Sequence, residues 1–458
     1  MSVLTAAGAG GRGGVVPPGA SRADRKTQEE SQALRIFLRL IRPRPLDDPY
    51  PLYAQLRDLA PFLPVRFPGV PAGYLVSTFA GCSRLLRDPA FGPPTHNQLD
   101  LLKPDWRDNS FTRYMYRSMV FRTGAAHRES RQAASRHFAP VQIARYRDEL
   151  DQLAGQLVER LAGHGPGPVD LIEHLALPFA ALSLGRLLAI DDDEAIRLGR
   201  LARQIGTVFE QFASAEQHAS VTRAGEELVR RLAVIVAGRR GGAPAGNEPG
   251  NEPGNEPGNE PGNEQSLLAR LAASHAGADE AEQLGAAVLL FGAGFDSPAS
   301  LVGLGTRLLL EHPRQARLVT DEPGIAARAV AEILRYEPPV QLVARTALEP
   351  AELAGQPVPA GSMVFGLLGA ANRDPAQVKE PEVFDVTREP EMSKASSLSF
   401  GAGPHYCLGA YLAGLQGEVL FPRLLRRFPA LRLAGPPVYR SPGSTLRGLE
   451  SLPLYLEP

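Results

Sequence analysis

The sequence predicts one large, mainly α-helical domain with a small β region. Three observations support this. Long stretches carry apolar residues at helical spacing, a few short runs alternate between turn residues, and no linker separates two independently patterned halves. The chain has 458 residues, of which 43% are hydrophobic, enough for an extensive core.

The elements follow in order. Residues 1–32 are expected to form a disordered tail, with the folded domain spanning 33–458. PYPLYAQLRDLAPFLPV (49–65) has helical spacing and then a breaker, and GYLVSTF (73–79) alternates like a strand. A helix with Cys82 at its start comes next. Residues 125–240 read as helix almost throughout. NEPG then occurs four times over 247–262, with no apolar residue to bury, so about 241–264 is expected to be a disordered insertion. The most apolar long segment is 281–311. A helix at 325–336, short strands over 340–366 and an irregular Pro- and Gly-rich stretch at 370–406 follow. A last long helix should run from Cys407 to Phe428, and LPLYLE closes the chain as a strand.

Bulk properties exclude several function classes. A net charge of −1 gives no electrostatic support for a nucleic-acid or membrane-surface role. Two cysteines cannot make a disulfide framework, so a reducing cytoplasm is expected. No run of 18 apolar residues occurs, and no transmembrane span is expected.

The sharpest motif is Phe400-Gly401-Ala402-Gly403-Pro404-His405-Tyr406-Cys407-Leu408-Gly409. Its glycines let backbone approach a large flat partner, and it delivers Cys407 to a helix start, where unpaired N–H groups favour a thiolate. A lone cysteine there would more often be an inert buried thiol. Further upstream, Glu332 and Arg335 share a helix face at i, i+3, a common and individually weak signal. Asp296 is the only ionisable residue between Leu284 and Gly305, a costly placement unless it is hydrated or paired. Pro298 lacks an N–H and crowds the carbonyl of Gly294, so the helix should open there. His127 and Arg131 lie at i, i+4 on one face, and Arg345 sits in a strand-like run, Val343-Ala344-Arg345-Thr346-Ala347.

Every fixed position of F-G-x-G-x-H-x-C-x-G is filled, and the chain resembles the cytochrome P450 family, haem-thiolate mono-oxygenases, in its soluble bacterial branch. The resemblance runs from about 47 to 456 and is broken by the NEPG insertion. It implies the family's mainly α fold, haem b as cofactor and Cys407 as the iron ligand, with Phe400 packed beside the sulfur. It implies that His127, Arg131, Arg345 and His405 reach the haem propionates and that Gly409, Ala293 and Gly294 lie against the haem. Glu332 and Arg335 would form a structural ion pair, with Arg388 as a third partner. Asp296 and Ser297 would relay protons to bound dioxygen. Here the sequence departs twice from the family's A-G-x-(D/E)-T-(T/S): Ser297 stands for Thr, and Pro298 follows.

The resemblance also implies partners and a reaction. Electrons would come from a separate ferredoxin and its ferredoxin reductase, docking on the Cys407 side near Arg136, Arg426 and Arg427. A small apolar substrate, of a kind met in secondary metabolism, would lie against Leu290, Phe295, Leu342, Val343 and Leu446, with Phe209 and Phe212 nearby. A monomer is expected. Hydroxylation or epoxidation with dioxygen is the leading reading. Oxidative coupling, desaturation or peroxide use is the alternative that Ser297-Pro298 favours, and a non-catalytic haem-binding protein is the third.

Overall fold

The computed structural model describes residues 22–457 apart from 42–45, 67–72, 103, 166, 211–214, 241–279, 323, 390–396 and 442–444. Helices dominate, and the long apolar segment runs through their centre as two helices, Glu280–Gly294 and Asp296–Glu311, meeting at Phe295. By composition Gln283–Glu311 is apolar enough to cross a membrane, but 72% of its qualifying 18-residue window is buried inside the protein. It is hydrophobic all round because helices pack on most of its faces, as expected of a core helix. Around it Arg147–Ala162, Leu177–Leu187, Asp192–Ile205, Ala215–Arg240 and Ala410–Arg427 share the main core, through residues such as Leu153, Leu184, Leu198, Leu228 and Leu420.

Folded chain begins earlier than the sequence suggested. The helix Arg22–Leu40 starts within the expected tail, and Ala33, Ile36 and Phe37 are buried on its inner face. Its high charge hides that stripe, because polar residues dominate the composition of a helix that buries only one side. The NEPG repeat lies outside the described residues.

A five-stranded sheet stands beside the helices. Phe62–Val65 pairs antiparallel with Gly73–Val76, which runs parallel to Met363–Leu367; that strand pairs antiparallel with Leu342–Ala347, and Phe91–Gly92 closes the far edge. Pairing of strands nearly 300 residues apart brings Arg345 into the middle of the molecule.

The segment before the cysteine loop has little regular structure, and buried charge organises it. Glu332 and Arg335 are both 0% exposed and meet through two hydrogen bonds, at 2.8 and 2.7 Å. The Arg335 guanidinium also donates to the carbonyls of Asn372, Pro381 and Val383. Glu332 accepts from the Asp385 N–H and lies 3.4 Å from Arg388. The pair thus satisfies four main-chain groups between Asn372 and Asp385 that belong to no sheet or helix. Asn372 carries the order onward by accepting the Leu398 N–H, two residues before Phe400. Breaking a buried pair strands the other charge, so Glu332→Ala should lower stability by about 3–5 kcal/mol in urea unfolding. A change under about 1 kcal/mol would contradict this role.

Candidate functional site

The cysteine loop is shaped by its own backbone and by its neighbours. Gly401 and Gly403 adopt positive φ, +71° and +68°. A Cβ on Gly403 would lie 2.5 Å from the Leu86 carbonyl, so the close approach that demands glycine here is to the helix Phe79–Arg87. The Cys407 N–H donates to the Phe400 carbonyl at 2.9 Å, and the Phe400 ring packs on the cluster containing Phe384 and Phe421. Cys407 therefore sits on a fixed turn just before the helix Ala410–Arg427.

Its sulfur opens onto a space inside the molecule: Cys407 is exposed, although protein surrounds it closely enough for burial to push its thiol pKa up. The Gly409 N–H and the Arg131 charge act the other way, favouring thiolate. A stripe of the central helix faces open space as well. Ala286, Leu290, Ala293 and Ser297 recur at i, i+4, i+7 and i+11, and each is at least partly exposed in a segment that is otherwise mostly buried. Gly294 is half-open beside them. A cavity lined by Ala286, Leu290, Ala134 and Leu408 joins this stripe to the residue after Cys407.

Four basic side chains cluster near Cys407. His127, on the helix Gly124–Ser135, and His405 meet with ring centroids 4.1 Å apart and planes tilted by 41°. Burial, then Arg345, His127 and Arg131, push the His405 imidazole down to about 3. Burial holds His127 and Arg131 below their usual values, and it pushes Arg345 down to about 10. Among the described residues the Arg345 guanidinium finds only the Ala344 carbonyl of its own strand. Among the described residues no carboxylate pairs with any of these four. Two desolvated guanidiniums with no carboxylate paired to them among the described residues are costly, and with two imidazoles as further hydrogen-bonding groups they fit a ligand that brings carboxylates of its own. A soft sulfur donor at an apolar cavity, with a basic rim, suits a metallated, flat, dianionic group such as haem.

The distal side holds a feature that the sequence did not reveal. The main chain breaks at Phe295, as Pro298 led us to expect, and the Ser297 hydroxyl donates to the Ala293 carbonyl at 3.1 Å. Asp296, 3% exposed, points away from that stripe and accepts from Arg440 at 2.6 Å. Arg440 also donates to the Arg203 carbonyl. The second carboxylate oxygen, Oδ2, is buried with no hydrogen-bond partner among the described residues, and it lies where a Cβ on Gly206 would stand. Nothing near Arg440 in the sequence marks it, since the 144 residues between the partners hide the pair.

Two expected pocket residues are placed elsewhere. Phe295 is 2% exposed and packs among Ala180, Ala181, Ala202 and Ala299, because the break turns it toward the helix Asp192–Ile205. Leu342 is 3% exposed in the core with Phe37, Leu56 and Phe365; strand alternation sends it to the face away from Val343 and Arg345. Leu290, Val343 and Leu446 remain half-open. Among the expected docking residues Arg136 is exposed, but Arg427 pairs with Glu159 at 2.9 Å and Arg426 caps the Thr320 carbonyl. Phe212 and the Phe209 side chain lie outside the described residues.

The 6-deoxyerythronolide B hydroxylase of Saccharopolyspora erythraea is 32% identical over 419 residues, 90% of this chain and 96% of that protein. The chain belongs to the cytochrome P450 family. The family model named Cytochrome P450 matches residues 325–438, which include the buried ion pair and the cysteine loop. Cytochrome P450 monooxygenase PikC of Streptomyces venezuelae is 29% identical, covering 89% of this chain and 91% of its own. Among solved structures, the cytochrome P450 enzyme CxnD for C–S bond formation in chuangxinmycin biosynthesis superposes with a TM-score of 0.77 at 29% identity, over 90% of this chain and 95% of that one. The fold is the cytochrome P450 fold, the cofactor is haem b, and the chain is a mono-oxygenase of this family.

The Asp296–Arg440 pair yields a direct test. Arg440→Leu strands a buried carboxylate and should cost about 3–5 kcal/mol in chemical unfolding. Adding Asp296→Asn should recover much of the loss in a double-mutant cycle. Strictly additive effects would show that the two side chains do not depend on each other.

Proposed function

We propose that this cytochrome P450 hydroxylates or epoxidises a small apolar molecule of secondary metabolism, in the cytoplasm and as a monomer, with electrons from a ferredoxin and its ferredoxin reductase. The observation that carries the reading is an exposed Cys407 on a glycine-shaped loop, one residue from the cavity that Leu408, Ala286 and Leu290 line, with Arg131 and its basic neighbours beside it. The named relatives support the substrate class: one is a 6-deoxyerythronolide B hydroxylase, and another is a polyketide biosynthesis cytochrome P450 of Bacillus subtilis.

Bound haem supplies the activation of dioxygen. The chain's residues would do the rest. Cys407 would donate its thiolate to the iron, helped by the Gly409 N–H. His127, Arg131, Arg345 and His405 would hold the propionates and so set the ring's orientation. Glu332 and Arg335 would hold the loop by ordering the segment before it. Leu290, Ala293, Val343 and Leu446 would form an apolar wall that excludes water and favours an apolar substrate.

Proton delivery would fall to Ser297 and Asp296. The Ser297 hydroxyl, at the open face, could release the Ala293 carbonyl and donate toward the cavity. Asp296 would resupply that hydroxyl only after leaving Arg440, because its carboxylate faces away in this conformation. One solved neighbour is a cytochrome P450 enzyme for C–S bond formation, which keeps a coupling outcome as the second reading.

The test uses the first compound that shifts the ferric spectrum on binding, with labelled dioxygen. The wild type should place one labelled oxygen atom in product, and Ser297→Ala should consume electrons with coupling reduced by roughly tenfold or more. An oxidised product without label would favour coupling or desaturation, and unchanged coupling would remove Ser297 from the relay.

A further inference from the structure

One buried carboxylate near the distal side has no part in this mechanism. Glu210 follows the turn Gly206–Phe209 at the end of the helix Asp192–Ile205, and it is 2% exposed. It reaches across to the far end of the chain. Its oxygens accept the Thr445 N–H at 3.0 and 3.2 Å, and the Leu446 N–H at 3.0 Å. Charge-assisted bonds to consecutive main-chain N–H groups in a dry interior are stronger than bonds to a neutral acceptor. Arg440 lies close enough to feel the Glu210 charge, after those of Asp296 and Glu450, so the carboxylate is not isolated.

The turn is stitched from its other side too. The Gln341 N–H donates to the Thr445 carbonyl at 2.9 Å, and the Arg447 N–H donates to the Pro339 carbonyl at 2.7 Å. Val340 and Leu446 form an isolated bridge. Residues 339–341 lead directly into Leu342–Ala347, the strand that carries Val343 and Arg345. Leu446 keeps a half-open side chain between buried Thr445 and Arg447, so its backbone is clamped while its side chain stays available. Glu210 thus joins two segments more than 200 residues apart in sequence and holds the turn from the side opposite residues 339–341.

The geometry points to Glu210 as a positioning residue for substrate selection: it pins the Thr445–Leu446 turn and thereby sets where Leu446 stands. The inference rests on the proposed reading of Leu446 as a wall of the substrate cavity. Glu210 touches neither haem nor substrate and acts through the turn. Its loss should alter which molecules fit, while leaving the proximal thiolate and the basic rim intact.

The experiment uses haem-loaded full-length protein and two variants. Glu210→Gln keeps the shape and loses the charge; Glu210→Ala removes the acceptor. In hydrogen–deuterium exchange, the amides of 445–447 should exchange roughly tenfold faster in Glu210→Gln, and faster still in Glu210→Ala. Two azoles then read the cavity. Imidazole needs only the iron and should bind the variants as it binds the wild type. Clotrimazole, which must fill the distal space, should bind about tenfold more weakly to Glu210→Gln. Unchanged exchange at 445–447 in both variants would overturn the pinning. Faster exchange with an unchanged ratio of clotrimazole to imidazole affinity would overturn the role in selection. A wild type whose iron binds neither azole would defeat the haem reading instead, and exchange at 445–447 would still decide whether Glu210 holds the turn.

Discussion

A sulfur atom kept uncovered inside a close-packed protein is the constraint on which the rest of this structure depends. Interiors fill their space, so a cysteine facing an internal opening persists only if its backbone cannot collapse onto it. Here Gly403 presses the loop against Leu86, the Phe400 carbonyl holds the Cys407 N–H, and Asn372 holds Leu398. Behind Asn372 stands Arg335, whose guanidinium serves three carbonyls while Glu332 balances its charge. The ion pair and the thiolate site form one apparatus: the first orders irregular chain so that the second can remain open.

The cavity's two sides answer different electrostatic problems. On the rim, two guanidiniums and two imidazoles lie together with no carboxylate paired to them among the described residues, an arrangement that a dianionic cofactor would relieve on binding. At the break in the core helix the opposite arrangement holds. Asp296 is a buried anion already answered by Arg440, with one oxygen left over Gly206. The acid therefore rests facing the Asp192–Ile205 helix and the C-terminal segment, the two parts of the chain that Glu210 also ties together. The Asp296–Arg440 pair and the Thr445–Leu446 turn are thereby anchored in one region of the fold.

Much of this was legible in the sequence. Local motifs carried their own geometry: the glycine–cysteine loop, Glu332 and Arg335 one turn apart, and Pro298 opening a helix at a predictable carbonyl. The helix Arg22–Leu40 was hidden because one apolar stripe is diluted by charge. Leu342 and Phe295 were misplaced because a one-residue change of phase, in a pleated strand or at a helix break, sends a side chain to the opposite face. Arg440 and Glu210 were beyond reach, since their meaning lies in partners that only the tertiary fold brings near.

The central claim is that Cys407 is the thiolate ligand of a haem held in this cavity. The reduced carbon monoxide difference spectrum of the wild type beside Cys407→Ala tests it most directly. The wild type should give the red-shifted band of a thiolate-ligated haem, and the variant should lose it. A histidine-type band in intact wild-type protein, or a thiolate band that survives in Cys407→Ala, would contradict the account.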